Sequence, residues 1–225
     1  VGEQVAEAWA VHHGWDGAWE RAVEALGQVG LPDPGETARR HPHELSGGMR
    51  QRAVIAQAIV CRPKLLIADE PTTALDVTIQ AQILDLLRRL RTELGMALLL
   101  ITHDLGVVAE MCETVAVMYA ARLVEVGPAE QVFASPSHPY TQGLLSSAIS
   151  VQQTQQITRA MEGSVPDLRE PPPGCRFHPR CLFVMPTCRV EAPSMLASGP
   201  GQTAACWLHD PDIVARERSA QGQPA

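Results

Sequence analysis

Lysine is almost missing from this chain of 225 residues: Lys64 stands alone, and the other basic side chains are arginine. Aromatic residues are scarce too, with four Trp, two Tyr and three Phe, so the core must be mostly Leu, Ile, Val and Ala. Acidic groups outnumber basic ones, 25 to 18, for a net charge of -7. That balance argues against a nucleic-acid or anionic-membrane surface as main partner, because those are bound by clustered Lys and Arg. No apolar run approaches the ~20 residues of a membrane-spanning helix; Met96 to Ile101, for one, is closed by Gly95 and Thr102. Residues 1 to 10 carry Glu3 and Glu7 and no basic apolar segment. No signal peptide is visible there, and a cytosolic setting is the expectation. At 45% hydrophobic and 19% charged, the chain is expected to bury a sizeable core.

Six cysteines are unevenly placed. Cys61 and Cys112 sit singly inside apolar segments and are expected as small buried hydrophobes. Cys175, Cys181, Cys188 and Cys206 fall in the last quarter. In a reducing cytosol such a cluster reads as a metal site before it reads as disulfides. The gaps of 5, 6 and 17 residues between them are looser than the roughly 2 to 4 usual in structural zinc sites. Zinc and iron–sulfur both stay open, since four thiolates satisfy either. His178 and His209 could also ligate, but four cysteines make them unnecessary.

Residues 3 to 30 place Val5, Ala8, Trp9, then Trp19, Val23, Leu26 and Val29 at helical spacing, predicting two helices parted by Gly14 and Gly17. Pro32, Pro34 and Gly35 break the chain before a short polar helix, and a further helix is expected from Met49 to Val60. Lys64 to Ala68 and Ala97 to Thr102 look like buried strands. Between them Ile79, Ile83, Leu87, Leu90 and Leu94 mark a helix capped by Asp76 or Thr78. Strand, helix, strand in that order is a parallel crossover unit, whose ligands bind at the carboxyl ends of the strands. Function is therefore expected at Asp69, Glu70 and His103. Thr114 to Tyr119 and Arg122 to Val126 predict a hairpin around Ala120 and Ala121, followed by helices near 128 to 134 and 138 to 149. From Val151 a Gln-rich run at 152 to 156, the prolines 171 to 173 and the cysteines predict an irregular tail, with fraying at 222 to 225.

Three segments carry chemistry. Leu45-Ser46-Gly47-Gly48-Met49-Arg50-Gln51-Arg52 puts a hydroxyl and two glycines at a helix start, where exposed N–H groups and the helix dipole attract anions. A plain capped helix is the bland alternative. In Lys64-Leu65-Leu66-Ile67-Ala68-Asp69-Glu70-Pro71, Asp69 can hold Mg²⁺ and Glu70 can polarise an attacking water. Leu100-Ile101-Thr102-His103-Asp104 adds an imidazole at the second strand end.

In this order and spacing the three segments, with Asp69-Glu70-Pro71-Thr72-Thr73-Ala74-Leu75-Asp76 in the middle, resemble the rear half of an ATP-binding cassette (ABC) ATPase. The resemblance implies that Ser46, Gly47, Gly48 and Gln51 contact the ATP held by an opposite subunit. It implies Asp69 as the magnesium ligand, Glu70 as general base, Asp76 in the loop that communicates across the dimer, and His103 at the γ-phosphate. A phosphate-binding loop of the form G-x-x-x-x-G-K-[ST] does not occur in the 225 residues. With Val1 in first place, the expectation is a chain starting just after the front half of the cassette and inactive alone.

Pro136-Ser137-His138-Pro139-Tyr140-Thr141 and Pro172-Pro173-Gly174-Cys175-Arg176-Phe177-His178-Pro179-Arg180-Cys181 are similar to the extension of dipeptide and oligopeptide transporter ATPases. Ala121 departs from the family's usual Gly in a tight turn. That resemblance implies a [4Fe-4S] cluster on Cys175, Cys181, Cys188 and Cys206, with Zn²⁺ the alternative.

The expected fold class is α/β: an ABC-type fragment with a helical subdomain (1–60), Walker B to final hairpin (64–127), a cysteine-bearing irregular extension (128–209) and a tail (210–225). The function implied is the ATP-binding subunit of an ABC importer for dipeptides, oligopeptides or a related solute, using ATP and Mg²⁺ on the cytoplasmic face of the membrane. Implied partners are a second ATPase subunit, transmembrane permease subunits and, indirectly, an extracytoplasmic solute-binding protein, with no nucleic acid. A soluble ABC ATPase of DNA repair is one alternative, although no sustained heptads appear for its coiled coil. An iron–sulfur or zinc module without ATPase function is the other.

Overall fold

Helical spacing of small and branched apolar residues decides how the chain starts. In the computed structural model, which describes residues 1–152 and 163–220, α1 (Gly2–His13) packs on α2 (Ala18–Gln28), with α3 (Pro34–Arg39) and α4 (Gly47–Ile59) beside them. Val5, Ala22, Ala25, Leu26, Ala56 and Ile59 are buried between these helices. Alanine at such positions lets helix backbones approach, and Gly2 carries this furthest: a Cβ there would lie 2.8 Å from the Ala38 Cβ and 2.9 Å from Trp19. The chain then forms β1 (Leu65–Asp69), α5 (Val77–Leu94) and β2 (Ala97–Ile101). Asp76 caps α5 by accepting from the Ile79 N–H at 3.0 Å, and Gly95 ends it in the left-handed region. Arg52 and Arg89 reach the carbonyls of Val29 and Gln28, at 2.6 and 2.9 Å. Two cations thereby satisfy acceptors that the end of α2 leaves open.

β1 and β2 are parallel and in register from Leu65↔Ala97 to Asp69↔Ile101, as the crossover pattern predicts. Their burial differs from the expectation of fully buried strands. Leu66 and Ala68 are covered, while Leu65, Ile67, Leu99 and Ile101 share an open apolar face. Parallel strands are ordinarily covered on both faces, which is why the sequence reads as continuous apolar runs.

Residues 1–103 form one compact unit and residues from 104 onward a second. The second opens with α6 (Leu105–Met111), a helix the sequence reading did not anticipate, capped by Asp104 through the N–H groups of Gly106 and Val107. The hairpin β3 (Thr114–Tyr119) and β4 (Arg122–Pro128) leads into α7 (Ala129–Ala134) and α8 (Pro139–Gln152). The tail is less irregular than expected. After α9 (Pro186–Val190), β5 (Leu196–Gly199) and β6 (Gln202–Ala204) extend the hairpin into one antiparallel sheet of order β3-β4-β6-β5, and α10 (Pro211–Ala220) follows. The expected fraying at 222–225 and most of the Gln-rich run lie outside the described residues.

Tyr119, Val124 and Phe177 form a small core, with Tyr140, Cys175 and Cys181 packed on it. Both tyrosines of the chain are in this cluster, with ring centroids 4.7 Å apart. Cys61 and Cys112, expected to be buried, are each only partly covered. The Cys61 thiol donates to the Ala8 carbonyl at 3.4 Å.

The hairpin turn is made by two alanines with φ of 46° and 59°, the left-handed region that a two-residue turn of the I′ kind demands at both centres. Ala121 therefore carries the strain that glycine would avoid. Ala121→Gly is expected to raise stability by about 1 kcal/mol, the relief of the left-handed alanine less the added chain entropy of glycine. Thermal unfolding checks this, and an unchanged or lower midpoint would mean that the turn is unstrained.

Candidate functional site

The carboxyl edge of the β1–β2 pair brings together the three groups expected there. Asp69 ends β1 with its side chain exposed, and the next residue turns sharply, Glu70 having φ 48°. The Glu70 N–H donates to the Ile101 carbonyl at 2.9 Å, which ties the turn to the end of β2. Its carboxylate is then held at both oxygens. His103 Nδ1 lies 2.8 Å from Oε1, and the Thr73 hydroxyl donates to Oε2 at 2.9 Å. The His103 hydrogen bond first, and Thr73 second, hold the Glu70 carboxyl below its ordinary range, so it is ionised at neutral pH. An ionised carboxylate only accepts, so the proton in this contact sits on His103 Nδ1. The result is an oriented base next to a free carboxylate. Mg²⁺ commonly takes one or two protein carboxylates and completes its shell with water and phosphate, a demand that Asp69 meets in kind.

Ser46, Gly47 and Gly48 stand at the start of α4 as expected. The Ser46 hydroxyl accepts from the Met49 N–H at 3.3 Å, so its first role is as helix cap. The two glycines face the beginning of α5: a Cβ on Gly47 would be 3.5 Å from Leu75, and one on Gly48 only 2.8 Å from Ile79. Asp76 lies between Leu75 and Ile79 and caps α5, so the two glycines pack beside the stretch that carries it. Gln51 follows one turn into α4, half-buried.

Cys175, Cys181, Cys188 and Cys206 line one small cavity with His138, Phe177, His178 and Trp207. Gly174 makes this convergence sterically feasible. Its φ is 69°, and a Cβ there would lie 2.4 Å from the Cys188 carbonyl, to which the Cys175 N–H donates at 2.8 Å. Burial, with the neighbouring thiols adding to it, pushes Cys181 up to about 11 and Cys206 up to about 12. Both are therefore neutral thiols at neutral pH in the metal-free protein. In chemistry and number the donor set fits the cluster or zinc ion implied by the sequence. In geometry it does not: among the described residues no group of three or more His, Cys, Asp and Glu side chains is placed to hold a metal ion. His178 Nδ1 donates to the Cys175 carbonyl and His209 Nε2 to that of Ser137, so each has a structural partner.

Sequence reasoning missed a polar node beside this cavity. Glu125 is fully buried on β4 and accepts from the N–H groups of Ser137 and His138, at 2.7 and 2.9 Å, and from the Gln202 side chain. His138 is 1% exposed, and burial pushes it down to about 4. A charge amid the apolar residues 123 to 126 was the available signal for Glu125. Thr73 and Gly174 were also passed over, although Gly174 stands directly before the first clustered cysteine.

The fold is that of an α/β ABC transporter ATPase. A metal-chelate type ABC transporter solved in an inward-facing conformation aligns with TM-score 0.55 at 24% identity, over 65% of this chain and 57% of its own. The ABC transporter family matches residues 2–73, and the family described as the oligopeptide/dipeptide transporter C-terminal region matches residues 124–188. The chain is 46% identical to the dipeptide transport ATP-binding protein DppD of Bacillus subtilis, over 93% of this chain and 63% of the relative. It is 47% identical to the oligopeptide transport ATP-binding protein OppD of Haemophilus influenzae, over 92% of this chain and 65% of the relative. It thus belongs to the ABC transporter ATP-binding family, in the oligopeptide/dipeptide branch, and spans less than two thirds of the length of these relatives. Nothing in these likenesses favours the DNA-repair alternative or a metal module without ATPase function.

Gly48→Ala is expected to lower stability by about 1 to 2 kcal/mol, because the added methyl must displace Ile79 at the start of α5. Gly47→Ala, with open contact distance, should change it by less than about 0.5 kcal/mol. Paired thermal melts distinguish the two, and equal midpoints would show that Gly48 is not sterically required.

Proposed function

We propose that this chain serves in the ATP-binding subunit of an importer that couples ATP hydrolysis to uptake of dipeptides, oligopeptides or a related small solute. The observation that carries the reading is the Glu70–His103 hydrogen bond beside Asp69 at the ends of two parallel strands. Phosphoryl transfer to water asks mainly for positioning and charge stabilisation. Glu70 orients the attacking water and takes its proton, and Asp69 holds Mg²⁺. With Nδ1–H directed at Glu70, His103 offers a second N–H to the γ-phosphate only as the protonated ring, from Nε2. Ser46, Gly47, Gly48 and Gln51, with Asp76 behind them, serve ATP bound by a second cassette subunit, identical or related. The relatives' names, dipeptide and oligopeptide transport, supply the solute class.

In this assembly residues 1–127 act as cassette and 128–209 as the peptide-transporter extension. The chain lies on the cytoplasmic face of the membrane against permease subunits, and a solute-binding protein acts on the far side. No helix among the described residues is long and apolar enough to cross a membrane. Cys175, Cys181, Cys188 and Cys206 hold a [4Fe-4S] cluster, with zinc the second reading. Bound there, either group would neutralise four thiolates and cross-link a segment rich in Pro and Gly. ATP hydrolysis needs no electron transfer, so the group's role is structural or redox-sensing.

The phosphate loop is not among the 225 residues, so the chain by itself should bind Mg-ATP only weakly in a calorimetric titration; micromolar affinity would refute this. Joined to a segment carrying that loop, Glu70→Gln should keep nucleotide binding while turnover falls by at least ~10². Hydrolysis by that variant at the parent rate would remove Glu70 from its role.

Protein purified without oxygen should be brown and contain about four iron and four sulfide per chain. Cys181→Ser or Cys188→Ser should lose most of that iron and leave the tail open to proteases. Stoichiometric zinc without sulfide would replace the cluster by a four-thiolate zinc site.

A further inference from the structure

The first unit holds a cavity that the proposed ATP chemistry does not use. It has a volume of about 280 Å³ and lies between the ends of α1 and α4 and one side of α2. That is just under the roughly 300–1,000 Å³ of small-molecule pockets. Its base is apolar, made by the buried Ile59 and Val60, and the Trp9 ring forms a wall. His13 stacks on Trp9 with ring centroids 3.9 Å apart, and the Arg21 guanidinium lies 5.2 Å from the Trp9 centroid. The rim is ionic. Glu24 stands between two guanidiniums: its Oε2 accepts from Arg21 Nη1 at 2.9 Å, while Arg62 Nη2 lies 3.7 Å from Oε1, beyond hydrogen-bond reach. The turn that bears Arg62 is a fixed one, with φ 50° and its N–H donating to the Ile59 carbonyl at 2.7 Å. A non-glycine residue in the left-handed region costs free energy, and here the cost is met at the mouth of a cavity.

We infer that this cavity binds a small zwitterion with an apolar side chain, a free amino acid or a short peptide. Its carboxylate is received by Arg62 and Arg21, its ammonium by Glu24, and its side chain by Trp9 and Ile59. One carboxylate against two guanidiniums leaves an excess positive charge on the rim, although the chain as a whole carries -7. A guanidinium presents five N–H donors in a fork that matches a carboxylate. Glu24 accepts from Arg21 and, at 3.4 Å, from the Gln28 amide, which leaves lone pairs for an ammonium. A plain anion would meet Glu24 and a plain cation would meet the excess positive charge. A ligand that carries both signs complements both, and the apolar base, by keeping water from one side, strengthens each contact.

The full chain, labelled with nitrogen-15, is titrated with leucine and with alanyl-leucine. The reporter is the Trp9 indole N–H resonance, assigned by its loss in Trp9→Phe. The probes should move it with a Kd of about 1 to 10 mM or tighter, the affinity that ordinary ligand efficiency gives ~9 to 14 non-hydrogen atoms. The tighter of the two identifies the source, free amino acid or peptide, and either result supports the site. The carboxamide of that probe, which lacks the anion, and its N-acetyl form, which lacks the cation, should each bind at least ~10-fold more weakly, the scale of one charge-assisted hydrogen bond. Arg62→Gln should weaken the zwitterion by the same ~10-fold and the carboxamide by nothing further; Glu24→Gln should do likewise for the zwitterion and the N-acetyl form.

A Trp9 resonance that neither probe moves at concentrations up to ~20 mM overturns the inference. So does a Kd that the carboxamide and the N-acetyl form share with the zwitterion, a comparison made on the parent chain and therefore independent of how any variant folds. Parental affinity in both Arg62→Gln and Glu24→Gln overturns it as well. None of these readouts involves nucleotide, Glu70 or His103, so their failure leaves the importer reading standing, and loss of that reading leaves the cavity's ligand unchanged.

Discussion

Pairing Asp69 with Ile101 across two parallel strands sets the geometry on which the candidate ATP site depends. Because the strands run in the same direction, both end at the same edge, and the residues that follow them meet there. Glu70 leaves β1 in a left-handed conformation while its N–H stays bonded to the end of β2. That strained turn points its carboxylate at His103, which is 33 residues distant in the chain. An antiparallel pair would have put the two residues at opposite ends. α5 is the connection that makes the parallel arrangement feasible, and Leu75 and Ile79, on either side of its cap, sit against the start of α4.

A different kind of constraint organises the second unit. There few large apolar residues are buried, and order comes from buried polar links and one tight backbone crossing. Glu125 gathers the Ser137, His138 and Gln202 donors around a carboxylate with no exposed surface. Such a group is costly to bury unless its lone pairs are filled, and here three donors fill them. Glu217 plays a similar part near the other end of the chain, where it accepts from the Thr187 N–H and hydroxyl at the start of α9. Gly174 allows the backbone before Cys175 to touch that of Cys188, so two cysteines far apart in sequence share a cavity wall.

Much of the first unit was legible because its signals are local. A 3.6-residue apolar period, glycine breaks and an Asp cap located the helices, and two apolar runs ending in acid or imidazole located the site. Strand ends moved by a residue, since Lys64 begins no pairing and Asp69 still does. The short α6 escaped notice, as its seven residues, about two turns, are too few to establish a period. β5 and β6 escaped for the reason short strands usually do: Leu196–Gly199 and Gln202–Ala204 become strands by adding to an edge supplied by β4.

The amino-acid sequence by itself determined the order of elements, the acidic pair at a strand end, the Ser-Gly-Gly helix start and membership of a peptide-transporter branch of ABC ATPases. These are properties of neighbouring residues, and neighbouring residues are what a sequence displays. Only the tertiary structure decided which far-apart groups meet: Thr73 and His103 on one carboxylate, Glu125 with Gln202, four cysteines and two histidines around one cavity. Such meetings follow from strand register and from backbone crossings that a single missing Cβ permits, and no local pattern encodes either.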